Sequence, residues 1–275
     1  MRDILVYCDD FRVWSPAVRY AAELAAALDA SLTGLHVGTR IPLEAPQSTP
    51  PPLLAEFIAY VQDDIQAAMV AGKQFAHWAQ QFGVQSTAWQ VALGDAADIL
   101  CVAGNWNDVL VVERGSGRIE DPLGLISEVL LSGLACLVVP EMTYAIGRLE
   151  RIAVAWNGSP ASTRALHIAM PLLRRAAHVV LLRAERPESV RSEVACEPAF
   201  DPEGYLRARG IQVHTESIEA NEDEAADTLL TAASRNRADL LVMGAFGKKR
   251  FHEWYLGGTT RHILQYAGLP LFMAH

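Results

Sequence analysis

Cysteine is scarce and unpaired in this chain. The four residues Cys8, Cys101, Cys136 and Cys196 never fall at C-x-x-C spacing, which excludes a disulfide framework and a zinc ribbon. Three of them sit in apolar patterns as small core residues, so a reduced, cytoplasmic setting is expected. No apolar run reaches the roughly 20 residues a membrane helix needs. No signal-peptide pattern precedes the strand-like Ile4-Leu5-Val6-Tyr7-Cys8. Basic residues number 23 against 32 acidic ones, a net charge of −9, which disfavours a general nucleic-acid surface. The histidines, among them His36, His77, His167, His178, His214 and His275, are scattered without metal-ligand spacing. There is no G-x-S-x-G elbow for a serine hydrolase, no G-x4-G-K-[ST] loop and no G-x-G-x-x-G.

What is present is glycine gathered at one junction. Met243-Gly244-Ala245-Phe246-Gly247, nine residues, then Gly257-Gly258-Thr259-Thr260-Arg261 reads G-x2-G-x9-G-G-T-T. An apolar run, Asp239 to Met243, leads in, and a helical pattern, Arg261 to Tyr266, leads out. Glycines let backbone approach an anion closely, and unpaired amides at a helix N-terminus then donate to it. Four glycines and two threonines converging on one strand-to-helix junction favour phosphate binding over plain turns.

The chain is also a duplicated unit. Ile4 to Asp9 leads to Ser15-Pro16-Ala17 and an Ala/Leu-rich helix, as Ile152 to Asn157 leads to Ser159-Pro160-Ala161 and another helix. Each serine can accept from a free amide at the helix start, and proline fits the first helical position because its missing N–H would go unpaired there. Ala96-Ala97-Asp98-Ile99-Leu100 pairs with Ala225-Ala226-Asp227-Thr228-Leu229, Asp108 to Val112 with Asp239 to Met243, and Leu134 to Val139 with Leu269 to Ala274. The seam near Glu141 to Leu149 divides the chain into units 1–142 and 149–275. Strands are expected near 3–8, 31–37, 86–92, 108–112 and 136–139, then near 150–156, 178–184, 211–217, 239–243 and 270–274. Apolar strands alternating with amphipathic helices imply two Rossmann-like α/β domains, each a five-stranded parallel sheet with helices on both faces. One helix over 161–174 buries Ala165, Leu166, Ala169, Leu172 and Leu173. Pro42, Pro46, Pro50, Pro51 and Pro52 are expected in one stiff loop after the second strand. Ligands of such folds bind at the C-terminal ends of strands one and four, which here carry Asn157 and Gly244.

On these residues, above all Val154 to Ser159 and Met243 to Arg261, the chain resembles the universal stress protein family in its tandem two-domain form. The resemblance implies a protein of the stress response that binds ATP or another adenine nucleotide, with or without Mg, in its C-terminal unit. Position by position, Asn157 takes the adenosine-binding place at the end of strand one and Ala184 the adenine-contacting backbone after strand two. Met243 would line the base, and Gly244 and Gly247 would admit the ribose and phosphates. Gly257, Gly258 and Thr259 would offer amides, with a hydroxyl from Thr260. Asn157 replaces the usual aspartate and so loses the charge-assisted part of a ribose contact; a capping or turn role for it is equally open. Gly258 replaces a hydroxyl residue but keeps its amide.

In the first unit Asp9 keeps the acid, but Glu113 occupies the first glycine's place and Pro122 a later one. A carboxylate there would repel phosphate, so a degenerate site is expected. The family also pairs its last strands edge to edge, which implies pairing between the two units of this chain, or a homodimer. A regulatory binding module is expected rather than an enzyme. A ligand-free scaffold and a weak ATPase are the alternatives, the latter without an identifiable base: Glu185 and Glu253 are the nearest carboxylates and nothing singles one out. Lys248-Lys249-Arg250 suits a solvated turn or a triphosphate tail, Trp254 and Tyr255 suit anchors, and Arg261 and His262 suit a surface.

Overall fold

The computed structural model describes residues 1–38, 50–115, 122–141, 149–184, 201–219, 224–245 and 258–275. The N-terminal unit runs β1 (Asp3–Tyr7), α1 (Pro16–Leu28), β2 (Ser31–Gly38), α2 (Pro51–Gln81), β3 (Thr87–Leu93), α3 (Ala96–Gly104), β4 (Val109–Arg114), α4 (Pro122–Leu131) and β5 (Cys136–Pro140). The C-terminal unit runs β6 (Arg151–Trp156), α5 (Pro160–Ile168), α6 (Met170–Leu173), β7 (His178–Ala184), α7 (Pro202–Arg207), β8 (Val213–Ile218), α8 (Ala225–Arg235), β9 (Leu240–Gly244), α9 (Gly258–Tyr266) and β10 (Leu271–Ala274). Every expected strand has its counterpart within a residue or two.

The strands form one sheet in the order β3-β2-β1-β4-β5-β10-β9-β6-β7-β8. Pairing is parallel throughout except between β5 and β10, where Leu271 faces Val138 and Met273 faces Cys136 in an antiparallel ladder. Alternate side chains go to opposite faces, and each face is buried. Ile4, Val6, Val111, Leu137, Val154, Val242 and Phe272 pack with α1, α2, α5, α6 and α7. Leu5, Leu110, Val112, Val138, Leu241, Met243 and Met273 pack with α3, α4, α8 and α9. Strand order reverses between β1 and β4 and again between β6 and β9, which opens a crevice at the C-terminal strand ends at both places.

Two expectations change. Helix 161–174 is interrupted at Ala169, because Pro171 has no N–H to continue the ladder, and α6 restarts with bonds from Leu172 and Leu173 to the Ala169 carbonyl. Of the five prolines placed in one loop, Pro50 is the N-cap of α2 and Pro51 and Pro52 lie in its first turn, where a missing N–H costs nothing. Pro42 and Pro46 lie outside the described residues.

The same staple opens both units. Asp239 Oδ2 accepts from the amides of Glu150 at 3.1 Å and Arg151 at 2.8 Å, tying the start of β9 to the start of β6. Asp108 Oδ2 does the same for the amides of Arg2 and Asp3. Replacing Asp239 with alanine leaves two amides at a strand start without their charged acceptor. Urea unfolding should show a loss of about 1–3 kcal/mol, and an unchanged midpoint would refute the staple.

Candidate nucleotide site

The C-terminal ends of β9, β6 and β7 lie side by side, so Gly244, Asn157 and Ala184 share one edge of the sheet. The chain must return along α9 to begin β10 parallel to β9, so the N-terminus of α9 lies at that same edge. Gly258, Thr259 and Thr260 form its first turn, with Gly258 exposed and Thr260 buried. A Cβ on Gly258 would meet nothing within 4 Å among the described residues. Met243 is buried between Ala155 and Met273, with its side chain toward α8 and α9. Gly247 and Gly257 lie outside the described residues, as do Glu185, Lys248 to Arg250, Glu253, Trp254 and Tyr255.

Asn157 closes a local turn. Its Oδ1 accepts from the Ser159 amide at 3.0 Å, and Gly158 between them has φ +70, a conformation that favours glycine. Ser159 then caps α5, accepting from the Ser162 amide at 3.2 Å. The turn role left open for Asn157 is therefore filled, and the residue remains at the strand end beside Gly244.

Gly244 has a packing reason to be glycine. A Cβ there would come within 2.4 Å of the Ser162 nitrogen and 2.6 Å of the Ala161 carbonyl carbon, both backbone atoms. The end of β9 thus lies directly against the first turn of α5.

Arg183 was not picked out from the sequence. Its guanidinium lies 5.9 Å from the centre of the Trp156 ring, placing a cation one residue from Ala184 and beside the β6 end. Its adjacency to Ala184 in the strand was the available signal. His262 pairs with Asp227 at 2.9 Å, joining α9 to α8, and Arg261 is exposed. Among the described residues no group of three His, Cys, Asp or Glu side chains could hold a metal.

The N-terminal unit carries a longer connection at the equivalent strand end. Eight residues (8–15) join β1 to α1, against three (157–159) joining β6 to α5. The extra length carries Phe11, buried against Ala68 and Ala71 of α2 and edge-on to His36 at 4.9 Å. His36 is itself buried, its Nδ1 donating to the Cys8 carbonyl at 2.8 Å. Comparing the two connection lengths would have revealed this difference from sequence. Glu113, in register with Gly244, places its half-buried carboxyl beside the start of α1, near Ser15 and Ala17. Burial pushes the Glu113 carboxyl above its usual range; the neighbouring Ser15 side chain and Ala17 backbone oppose the shift, and Glu141 and Asp9 add to it.

Residues 148–275, the C-terminal unit, match the model of the Universal stress protein family. A curated relative, "Universal stress protein Slr1230" of Synechocystis sp., is 22% identical over 202 residues. The match spans 70% of this chain and 66%, just under two thirds, of that relative's length. Among solved structures, a universal stress protein from Archaeoglobus fulgidus superposes with a TM-score of 0.68 at 15% identity, covering 98% of this chain and 95% of that one. A putative universal stress protein from Pseudomonas aeruginosa gives 0.58 at 14% identity, covering 100% and 93%. Both likenesses extend the fold across the N-terminal unit as well.

The half-buried Glu113 carboxyl makes a pH prediction. A carboxyl whose folded pKa is raised contributes stability below its unfolded pKa, and this is lost as pH rises through the folded one. Glu113→Gln should therefore raise the thermal midpoint at pH 7 by about 2 °C or more, with the gain shrinking as pH falls toward the ordinary glutamate range. A gain independent of pH between 4 and 8, on the order of this range, would contradict the burial argument. Calorimetry across that range decides it.

Proposed function

We propose that the C-terminal unit binds ATP or another adenine nucleotide, and that the protein acts in the stress response as a regulatory binding module. The observation that carries this is the N-terminus of α9 at the sheet edge that also holds Asn157 and Ala184. Gly258 and the residues after it begin α9 at the positive end of its dipole, which suits a phosphate tail. Asn157 brings an amide side chain to the same edge, a group that suits a ribose hydroxyl. The match of residues 148–275 to the Universal stress protein family model supports the same ligand class. Mg would accompany the phosphates rather than be held by a protein cluster.

On this reading the two units are domains 1–142 and 149–275. The first is a scaffold that carries Phe11 and Glu113 at the equivalent edge, and the ladder of β5 with β10 supports the pairing of the two within one chain. A second reading is a ligand-free scaffold throughout. It is favoured by the packing role of Gly244, which explains one motif glycine without any ligand.

Titration calorimetry of nucleotide-stripped protein with ATP separates the two readings. Gly258→Pro removes one amide at a position where α9 tolerates proline and where there is room for the ring. It should weaken binding about fivefold to tenfold while leaving thermal stability unchanged. Asn157→Asp keeps the turn acceptor and adds charge, so it should tighten binding several-fold, worth about 1 kcal/mol. Absence of saturable binding up to about millimolar ATP, equivalent to roughly −4 kcal/mol, leaves the scaffold reading.

A further inference from the structure

At the opposite end of the sheet from the glycine loop, the starts of β6, β7 and β8 border an open depression of about 790 Å³. This lies within the size range of small-molecule sites. Ile152, Val179, Val180, Ile211 and Val213 form the buried core beneath it, none more than 9% exposed. Arg151, His178, Arg207 and His214 supply four basic side chains around the opening, and Gln212 and Asn236 add amides. Among the described residues that line it there is no carboxylate, although acids outnumber Lys and Arg in the chain as a whole. Arg207 also pairs with Glu203 along α7, whereas the Arg151 guanidinium forms no ion pair among the described residues.

The duplication provides an internal comparison. By strand register Arg151 corresponds to Asp3, His178 to Ser31 and His214 to Ala88. The matching bonds Ile211 N to Leu206 O and Val84 N to Ala79 O, which close α7 and α2, align Arg207 with Gln80. In the N-terminal unit these positions close on themselves, the Ser31 hydroxyl donating to Asp3 at 2.6 Å. The four positions thus carry one acid and no base in the first unit, and four basic side chains in the second. Ile152, Val179 and Ile211 keep apolar counterparts in Ile4, Leu32 and Val84, whereas Val180 and Val213 correspond to Thr33 and Thr87. Fold maintenance does not require such a reversal, since the first unit folds without it.

We propose that this depression binds an organic phosphate, a phosphate monoester carrying an apolar group. Two guanidiniums and two imidazoles around one opening suit a dianion better than a carboxylate, with Arg offering paired donors to the phosphate oxygens. The lining as a whole is more apolar than polar, which suits the apolar part. The site is separate from the α9 N-terminus and does not depend on nucleotide binding there.

The test is amide-resolved NMR titration of the full chain with phenyl phosphate, inorganic phosphate and benzoate. Saturable shifts at Ile152, Val179 and Val213 with phenyl phosphate are expected, with inorganic phosphate and benzoate each binding more weakly. Arg151→Asp with His178→Ser installs the first unit's own pair and should weaken phenyl phosphate at least about tenfold, or about 1.4 kcal/mol. Arg207→Gln, at a surface position, should act in the same direction and covers the case of an unstable double variant. Gly258→Pro should change nothing here, which separates this site from the proposed nucleotide site. No saturable shift up to about 10 mM, weaker than roughly −3 kcal/mol, would overturn the proposal. So would unchanged affinity in the charge variants, or inorganic phosphate binding as tightly as phenyl phosphate.

Discussion

Burial of the parallel strands on both faces is the constraint from which the rest of this molecule follows. A strand that is apolar on both sides must be covered twice, and each parallel connection must cross from one end of the sheet to the other. The helices are therefore driven to run against the strands, with their N-termini at the strands' C-terminal ends. Ile4, Val154 and Phe272 on one face and Leu5, Leu241 and Met273 on the other show how completely both sides are enclosed. The reversal of strand order between β6 and β9 then leaves a crevice at the edge where α5 and α9 begin. The positive ends of both helix dipoles therefore lie at that edge as a consequence of covering the sheet.

The two units differ at that edge, and one register position separates them. Gly244 brings the end of β9 against the first turn of α5 by having no side chain. Glu113, its counterpart, brings a half-buried carboxyl beside the first turn of α1. The longer connection after β1 adds Phe11 against α2 and His36.

Much of this was legible before any coordinates. Strand positions followed from short apolar runs bounded by turn residues, because a doubly covered strand leaves few polar positions to confuse it. The helix starts at Ser15-Pro16 and Ser159-Pro160 were equally plain, since the capping chemistry is local. The break at Ala169 was also encoded in Pro171, but the apolar spacing of Ala165, Leu166, Ala169, Leu172 and Leu173 runs straight through it. The turn formed by Asn157 could be named only as one of two roles, because an asparagine at a strand end serves either equally well.

The sequence by itself determined the repeated α/β pattern and the gathering of glycines and threonines at the last strand-to-helix junction. These are properties of neighbours along the chain: periodicity, caps and turn residues within a few positions of one another. Tertiary structure alone decided that Gly244 touches the backbone of Ala161 and Ser162, that Glu113 lies near Ser15, and that Arg151, His178, Arg207 and His214 surround one opening. Those residues lie dozens of positions apart. Only the strand order and register, set by how the two faces are packed, bring them within reach.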